Sequence, residues 1–475
     1  MNDSNTSARA ARSEIAIVSV LSLGAFMSSL DVFIVNLAFP SIARDFAGTD
    51  LGSLSWVLNA YSIMLAAVMV PAGLWADLVG RRLVFITGLA TFVAGSLFCG
   101  VAPGVGALVA ARVVQATGAG MILPASLSLL LASVGAERRA AAIGTWSAIG
   151  AMGASLGPVA GGLLVQWQWR SVFWVNVPIG VVALVLALRV VPESRGAGAG
   201  HRPDLVGAAL LAAAIGALAL GLVRAPQWGW GSAAVVGLVA GSLVAVGGVL
   251  LRSRRHPAPV IDLALLRSRS FSGALGATVL YYAGFGALLL SSVEFLTGVW
   301  RYSAIEAGLA IAPGPLLVLP FARVVSPWLA ARLGGSGRVV VVGCVLTAAA
   351  QVLWFFQIQD APAYAAHLLP VQLITGAGVG LTLPSLIAAG TRGLAPAHFG
   401  SGSGVLNMGR QMGTVIGVSA LVAVLAAVRA TDPVVTFREA VILVIGVLAC
   451  AALTGAATLV RHPAPARTVA VPSPA

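Results

Sequence analysis

The chain has 475 residues, of which 59% are hydrophobic and only 9% are charged. A soluble domain carries roughly 25% charged residues, so the composition excludes an ordinary soluble protein and indicates that lipid surrounds most of the surface. The 28 basic residues are all Arg and give a net charge of +13. They are scattered over short loops, which argues against a nucleic-acid partner.

Apolar segments long enough to cross a bilayer recur along the whole chain. A helix needs about 20 such residues to span the hydrocarbon layer. Marking the segments in order predicts an all-α integral membrane protein with about fourteen transmembrane helices. The predicted spans are 14–37, 54–76, 83–102, 106–132, 140–164, 171–191, 205–223, 231–251, 271–297, 305–330, 338–357, 364–390, 402–427 and 440–460.

The Arg residues between these spans fall mostly on alternate loops. Nineteen lie on one set of loops and tails, for example Arg81, Arg82 and Arg252, and six lie on the other set, for example Arg170 and Arg301. Cytoplasmic loops carry an excess of basic residues. We therefore expect a multi-pass protein of the cell (inner) membrane with both termini in the cytoplasm.

Two of the first four spans carry charges of opposite sign. Asp31 in span one and Arg112 in span four each lie six to nine residues from the predicted outer end, or about 10 Å below that surface. Charges inside a bilayer are costly and are candidates for function. The two side chains could form a static structural pair. They could instead couple transport to protons, with Asp31 protonated whenever Arg112 moves away.

The loop between spans two and three reads Gly73-Leu-Trp-Ala-Asp77-Leu-Val-Gly80-Arg81-Arg82. Gly80 permits a tight turn, and Asp77 can pair with an Arg of the loop. We expect Asp77, Arg81 and Arg82 to connect helix ends as the protein changes conformation. The alternative is that these charges only set the membrane topology.

Span five has small residues at a four-residue spacing, namely Gly153, Gly157 and Gly161, with Pro158 beside them. Such spacing lets helix backbones approach closely. It predicts either ordinary helix packing or a tight, leak-resistant contact between two halves of the molecule.

Later spans contain two further charges. Glu294 lies near the outer end of span nine, where it could be a solvated helix end, an attractor of cations or a second proton site. Arg410 lies well inside span thirteen and could bind an anionic group, pair with an acid or serve packing. Polar and aromatic residues that could line a substrate cavity are Asn36, Asn59, Tyr61, Gln115, Trp146, Asn407, Arg410 and Gln411.

A weak internal repeat occurs at an offset of 260 residues, as in Gly118 and Gly378 or Pro124 and Pro384. Parallel repeats of six helices are typical of one large transporter class, whose substrate site lies between the repeats. We therefore predict a six-helix bundle over 1–195, a linker with two accessory helices over 196–260 and a second six-helix bundle over 261–475.

Together the motifs resemble the major facilitator superfamily, and more closely its fourteen-helix drug:proton antiporter branch. The resemblance rests on the loop at Asp77, the Gly157-Pro158 segment, Asp31 within Leu-Asp-x-x-x-Val-Asn, and the Asn407-x-x-Arg410-Gln411-x-Gly413 pattern. Phe33 departs from the branch, which more often has Thr at that position.

The resemblance implies a proton-coupled exporter of small lipophilic molecules such as drugs or antibiotics. It implies the proton gradient as energy source, no cofactor, and the substrate, protons and the bilayer as partners of a monomer. Proton coupling would involve Asp31, Arg112 and Glu294. A transporter of one specific metabolite, including an uptake system, is the alternative. An enzyme is not expected, because the sequence has no His/Cys metal cluster and no phosphate-binding GxxxxGK[ST] loop.

Overall fold

The computed structural model describes residues 2–134, 138–195, 204–392, 399–427 and 433–460. All regular secondary structure in these segments is helical. The long helices, numbered in chain order, are α1 Asn2–Asp45, α2 Leu51–Val79, α3 Arg81–Gly100, α4 Val105–Ser133, α5 Arg139–Trp167, α6 Ser171–Val190, α7 Leu205–Trp228, α8 Ala233–Ser253, α9 Arg269–Gly298, α10 Ala304–Leu333, α11 Ser336–Gln357, α12 Tyr364–Thr391, α13 Phe399–Ala427 and α14 Pro433–Val460.

Each predicted span corresponds to one of these helices. Among the described residues, 13 helices are long and apolar enough to cross a membrane. The remaining span corresponds to α5, a 29-residue helix that contains the apolar stretch Leu156–Trp167. The prediction of an all-α membrane protein is therefore confirmed.

The helices extend beyond the apolar segments that predicted them. Span one was predicted to end at residue 37, yet α1 continues to Asp45 and includes Pro40. Hydropathy marks only the segment of a helix that lies within the hydrocarbon layer, whereas the hydrogen-bonded backbone of the helix can continue into the polar interface. As a result, α1 and α2 are joined by a short turn, in which Asp50 caps α2 through the Ser53 amide.

The first six and the last six helices pack in equivalent pairs. Helix α1 packs on α5, α2 and α3 pack on α4, and α3 packs on α6. Eight helices later, α9 packs on α13, α10 and α11 pack on α12, and α11 packs on α14. A Cβ on Gly118 would collide with the backbone of α3 at Phe92, and one on Gly378 would collide with Thr347 of α11. These repeated glycines therefore permit equivalent close helix contacts.

The accessory helices α7 and α8 form an antiparallel pair at the side of the molecule. Helix α7 packs against α2 and α13, which belong to different six-helix sets, whereas α8 packs mainly on α7 and is largely exposed. Arg224 at one end of α7 pairs with Asp50 at 3.1 Å, and Arg252 pairs with Asp204 at 2.5 Å near the other end. Through α7, the accessory helices thus bridge the two six-helix sets.

The two ends of the helix assembly differ in charge and in contacts. The end that carries Asp77, Arg81 and Arg82 is called the basic end here, and the end that carries Asp50 and Trp169 is called the opposite end. Toward the opposite end, α5 meets α10 at Pro158 and Gly308, and Asn59 of α2 meets Ser419 of α13. These contacts bring the two six-helix sets together there.

Candidate functional site

A large cavity of about 1030 Å³ lies between the two six-helix sets. It reaches the basic end, where Asp77, Ser128 and the segment 256–260 that precedes α9 contribute to its wall. Toward the opposite end, its wall stops at Asn36 of α1 and Val418 of α13. Each of these residues lies about 13 Å from the end of its helix, at about 1.5 Å per residue. The cavity is therefore accessible from the basic end and closed toward the other.

The closure at the opposite end is made by close backbone contact and by a polar bridge. A Cβ on Gly308 of α10 would collide with the carbonyl oxygen of Pro158 of α5, and one on Gly162 would lie 2.7 Å from the Ile305 Cα. Between α2 and α13, the Asn59 amide donates to the Ser419 hydroxyl at 3.1 Å.

Asp31 and Arg112 form a fully buried ion pair in the first six-helix set. The Arg112 Nη1 lies 2.6 Å from the Asp31 Oδ2, and the two side chains are 1% and 0% exposed. The Arg112 Nε donates to the Val57 carbonyl oxygen at 3.1 Å. Its guanidinium also lies 4.0 Å from the centroid of the Tyr61 ring. Arg112 contributes to the cavity wall, whereas the Asp31 carboxylate lies behind it.

Neutral donors complete the hydrogen bonding of the Asp31 carboxylate. The amides of Gln115 and Asn176 donate to its Oδ1 at 2.8 and 2.9 Å. Both amides also donate to the Ser96 hydroxyl. An ionised carboxylate is an acceptor only, so this arrangement suits the charged form of Asp31. A proton on Asp31 would leave the buried Arg112 without its counter-ion.

The predicted cavity residues divide into two groups. Six of them lie in the cavity wall, namely Asn36, Tyr61, Trp146, Asn407, Arg410 and Gln411. Asn59 and Gln115 do not, since Asn59 bridges α2 and α13 and Gln115 supports Asp31 from behind. Both are polar residues of apolar helices, but composition does not show which face of a helix meets the cavity.

Glu294 also lies outside the cavity wall in the described part of the chain. Its Oε1 is buried and has no hydrogen-bond partner. This position differs from the solvated helix end that the sequence allowed.

Arg410 of α13 contributes a second cation to the cavity. Its guanidinium carbon lies 5.6 Å from the centroid of the Tyr282 ring on α9. No carboxylate of a described residue lies within ion-pairing distance of it. Tyr282 and Phe285 form an edge-to-face aromatic pair beside it, with ring centroids 6.0 Å apart.

The loop motif connects four helices of the first set at the basic end. The Arg81 Nε donates to the Asp77 Oδ1 at 2.8 Å, and its Nη1 donates to the Ser128 carbonyl of α4 at 3.4 Å. The Arg82 amide donates to the Glu193 carboxylate at 3.1 Å, and its Nη2 reaches the Leu188 carbonyl of α6 at 2.6 Å. Glu193, which follows α6, was not singled out from the sequence because nothing in the sequence places it near α3.

Two glycines of the loop motif have different surroundings. Gly80 adopts a φ of +128°, and a Cβ there would lie 2.8 Å from the Glu193 carboxylate, so this position favours glycine. Gly73 lies in the cavity wall and packs beside Pro124 of α4.

The predicted glycines of α5 face α1 rather than the second six-helix set. A Cβ on Gly153 would lie 2.5 Å from the Phe26 carbonyl oxygen, one on Gly157 would collide with Phe33, and one on Gly161 would lie 3.2 Å from Leu37. Residues four apart share one helix face, so all three lie on the α1 side. The contact with α10 falls on the neighbouring face, at Pro158 and Gly162.

Comparison with known proteins agrees with this architecture. "Multidrug resistance protein Stp" of Mycobacterium tuberculosis (strain CDC 1551 / Oshkosh) is 36% identical over 88% of this chain and 76% of its own length. "Cephamycin export protein CmcT" of Amycolatopsis lactamdurans is 32% identical over 84% of this chain and 82% of its own. The crystal structure of an auto inhibited POT family peptide transporter superposes with a TM-score of 0.66 at 18% identity, covering 98% of this chain and 99% of that one.

The family comparison covers most of the chain and both six-helix sets. The sequence model of the Major Facilitator Superfamily matches residues 21–418. With its repeated six-helix packing and the cavity between the two sets, the chain belongs to the Major Facilitator Superfamily.

Proposed function

We propose that this protein exports small lipophilic molecules, including antibiotics, in exchange for protons. The observation that carries the proposal is a buried ion pair, Asp31 with Arg112, of which Arg112 lies in the wall of a large cavity. Relatives named for multidrug resistance and for cephamycin export support the export direction.

The excess of Arg at the basic end supports a cytoplasmic location for that end and for both termini. The protein then lies in the cell (inner) membrane with its cavity accessible from the cytoplasm. A lipophilic compound enters the cavity from the cytoplasm or from the inner leaflet. Export requires the contacts at the opposite end to separate while the basic end closes.

The equivalent packing of α1–α6 and α9–α14 supports two units that rock against each other. We assign 1–195 and 261–475 to these units and 196–260 to the linker with α7 and α8. Separation at Gly308 and Pro158 opens the cavity outward. The hydrogen bonds of Asp77, Arg81 and Arg82 lie within the first unit and hold the ends of α2, α3, α4 and α6 together as it moves.

The ion pair supplies the coupling step. A proton that enters from outside neutralises Asp31 and weakens its attraction for Arg112. The freed guanidinium rearranges at the cavity wall, where substrate is bound. Release of the proton to the cytoplasm restores the pair, so the pair can exist in two states that differ in substrate affinity.

Expression in an efflux-deficient bacterial host tests the export function. Wild-type protein should raise the inhibitory concentrations of several lipophilic antibiotics and dyes, and the Asp31→Asn variant at equal abundance should not. Accumulation of one metabolite without resistance to any compound of the panel would instead identify a specific uptake transporter.

A further inference from the structure

We infer that the cavity binds aromatic or lipophilic anions, with Arg410 as the residue that pairs with the anionic group. This inference rests on the proposed export function and specifies its substrate class. It follows from the charges, the unpartnered Tyr61 hydroxyl and the apolar surfaces of the cavity wall.

The charges deep in the cavity are unbalanced. Arg112 is neutralised by Asp31, 2.6 Å away. Arg410 has no such partner among the described residues. Glu294 is twelve residues beyond Tyr282 on α9, or about 18 Å away along the helix, and lies outside the cavity wall. As far as the structure describes the chain, the deep cavity therefore carries one uncompensated positive charge.

The two acidic residues of the cavity wall lie at the mouth. Asp77 is 39% exposed and pairs with Arg81. The Asp262 carboxylate accepts from the Ala264 amide at the start of the short helix Leu263–Leu266. Each carboxylate has a local partner at the basic end, so neither one supplies a counter-ion for Arg410.

A second, independent feature of the wall points to an anion. The Tyr61 hydroxyl is buried and has no hydrogen-bond partner among the described residues, and its side chain is only 1% exposed. Tyr61 lies in the cavity wall, which it shares with Arg410, and its ring centroid is 4.0 Å from the Arg112 guanidinium. An unpartnered buried hydroxyl is costly unless a ligand satisfies it. A carboxylate, sulfonate or phenolate bound at Arg410 would accept from both groups.

The rest of the wall suits a lipophilic body on the ligand. Phe33 of α1, Trp146 of α5 and Phe285 of α9 contribute aromatic surface to the cavity. Gln411, beside Arg410, adds an amide to the cavity wall. A flat aromatic anion can stack on the rings while its charged group contacts Arg410. A quaternary or aminated cation meets like charge at the same place.

The charge of the ligand also affects the energetics of export. Exchange of an entering proton for a leaving anion moves positive charge inward on balance. An inside-negative membrane potential then drives the exchange together with the pH gradient. Such coupling suits the removal of anions from the cytoplasm.

Binding of two dyes that share a xanthene ring system tests the inference. Fluorescein is anionic and rhodamine 123 is cationic, and both can be titrated against the full-length protein in lipid nanodiscs by fluorescence anisotropy. We expect fluorescein to bind at least about tenfold more tightly than rhodamine 123. A charge-assisted hydrogen bond has a strength that corresponds to about this ratio.

Three variants assign the effect to Arg410. The Arg410→Gln variant should weaken fluorescein binding about tenfold without weakening rhodamine 123 binding. Arg410→Lys should retain part of the fluorescein affinity, which excludes misfolding as the cause. Arg332→Gln is the matched control, because Arg332 also lies over an aromatic ring, 4.5 Å from the Trp328 centroid, but outside the cavity wall.

The outcomes separate this inference from the export function. Equal or tighter binding of rhodamine 123, no binding of fluorescein, or fluorescein binding unaffected by Arg410→Gln would overturn the anion site. Proton-driven transport of rhodamine 123 in proteoliposomes would then leave export intact. If fluorescein binds through Arg410 but no compound is moved against a gradient, the anion site stands and export fails.

Discussion

A buried ion pair responds differently to the loss of one charge and to the loss of both. Asp31→Asn leaves the Arg112 guanidinium without a counter-ion at a site that is 1% exposed. Breaking a buried pair in this way costs about 3–5 kcal/mol. We expect a clearly lower melting temperature, measured by tryptophan fluorescence in detergent, and no proton-driven transport.

The double variant Asp31→Asn with Arg112→Gln separates stability from coupling. Removing both charges should restore most of the lost stability, because no uncompensated charge remains. Proton-driven transport should still be absent. Uphill transport by this variant at the wild-type rate would show that another group carries the proton.

The sequence identified a functional residue most readily where its side chain is costly to place in lipid. Asp31 and Arg112 were found because charges inside apolar spans are rare, and their equal depth correctly indicated that they could meet. The orientation of amides was not predictable in this way. Gln115 and Asn176 resemble other polar residues of apolar helices, and only the packing of α3, α4 and α6 around α1 directs both toward Asp31.

At the scale of helices, the contact between α5 and α10 controls access from the opposite end. A side chain at Gly308 cannot be accommodated against the Pro158 carbonyl without separating the two helices. Overpacking of this kind costs about 1–3 kcal/mol, so Gly308→Val should shift the conformational equilibrium by about tenfold toward opening at that end.

Labelling of a single cysteine measures that shift. Leu37 of α1 lies beside Gly308 and is 2% exposed. Its replacement by Cys, in a background that lacks Cys99, Cys344 and Cys450, reports whether α5 and α10 have separated. A membrane-impermeant maleimide added from outside should react about tenfold faster in the Gly308→Val protein.

The matched control places the same substitution where a helix has room. A Cβ on Gly446 of α14 would have no neighbour within 4 Å, so Gly446→Val should leave the labelling rate unchanged. Unchanged labelling of Gly308→Val in a correctly folded protein would contradict the assignment of this contact as the outer closure.

The positions of the helices were more predictable from the sequence than the partner that each helix face contacts. Hydropathy located every span because a bilayer imposes a minimum apolar length. The four-residue spacing of Gly153, Gly157 and Gly161 predicted a close helix contact in α5. It could not identify the partner, which is α1, because a glycine stripe fits any neighbour whose backbone approaches it.

At the scale of the whole molecule, the 260-residue repeat anticipated the packing of equivalent helix pairs. The repeat does not predict which end of the cavity is closed, since both arrangements use the same helices. That property depends on a few contacts, at Gly308, Gly162 and Asn59, which can form or separate without a change in the packing within each set.

For the accessory helices α7 and α8, the sequence predicted their presence but not where they attach. The sequence predicted two accessory helices in the linker, and α8 is largely exposed. Their attachment was not predictable, because the pair of Arg224 with Asp50 joins residues that are far apart in the chain. The pair of Arg252 with Asp204 holds α8 to the start of α7.

Proton movement in proteoliposomes tests the central claim most directly. Purified protein is reconstituted with a pH-sensitive dye inside the vesicles, and a compound identified by the resistance panel is added outside. The account predicts that entry of this compound is accompanied by release of protons from the lumen, and that Asp31→Asn abolishes this release. Entry of the compound without proton movement, or full proton release by Asp31→Asn, would contradict it.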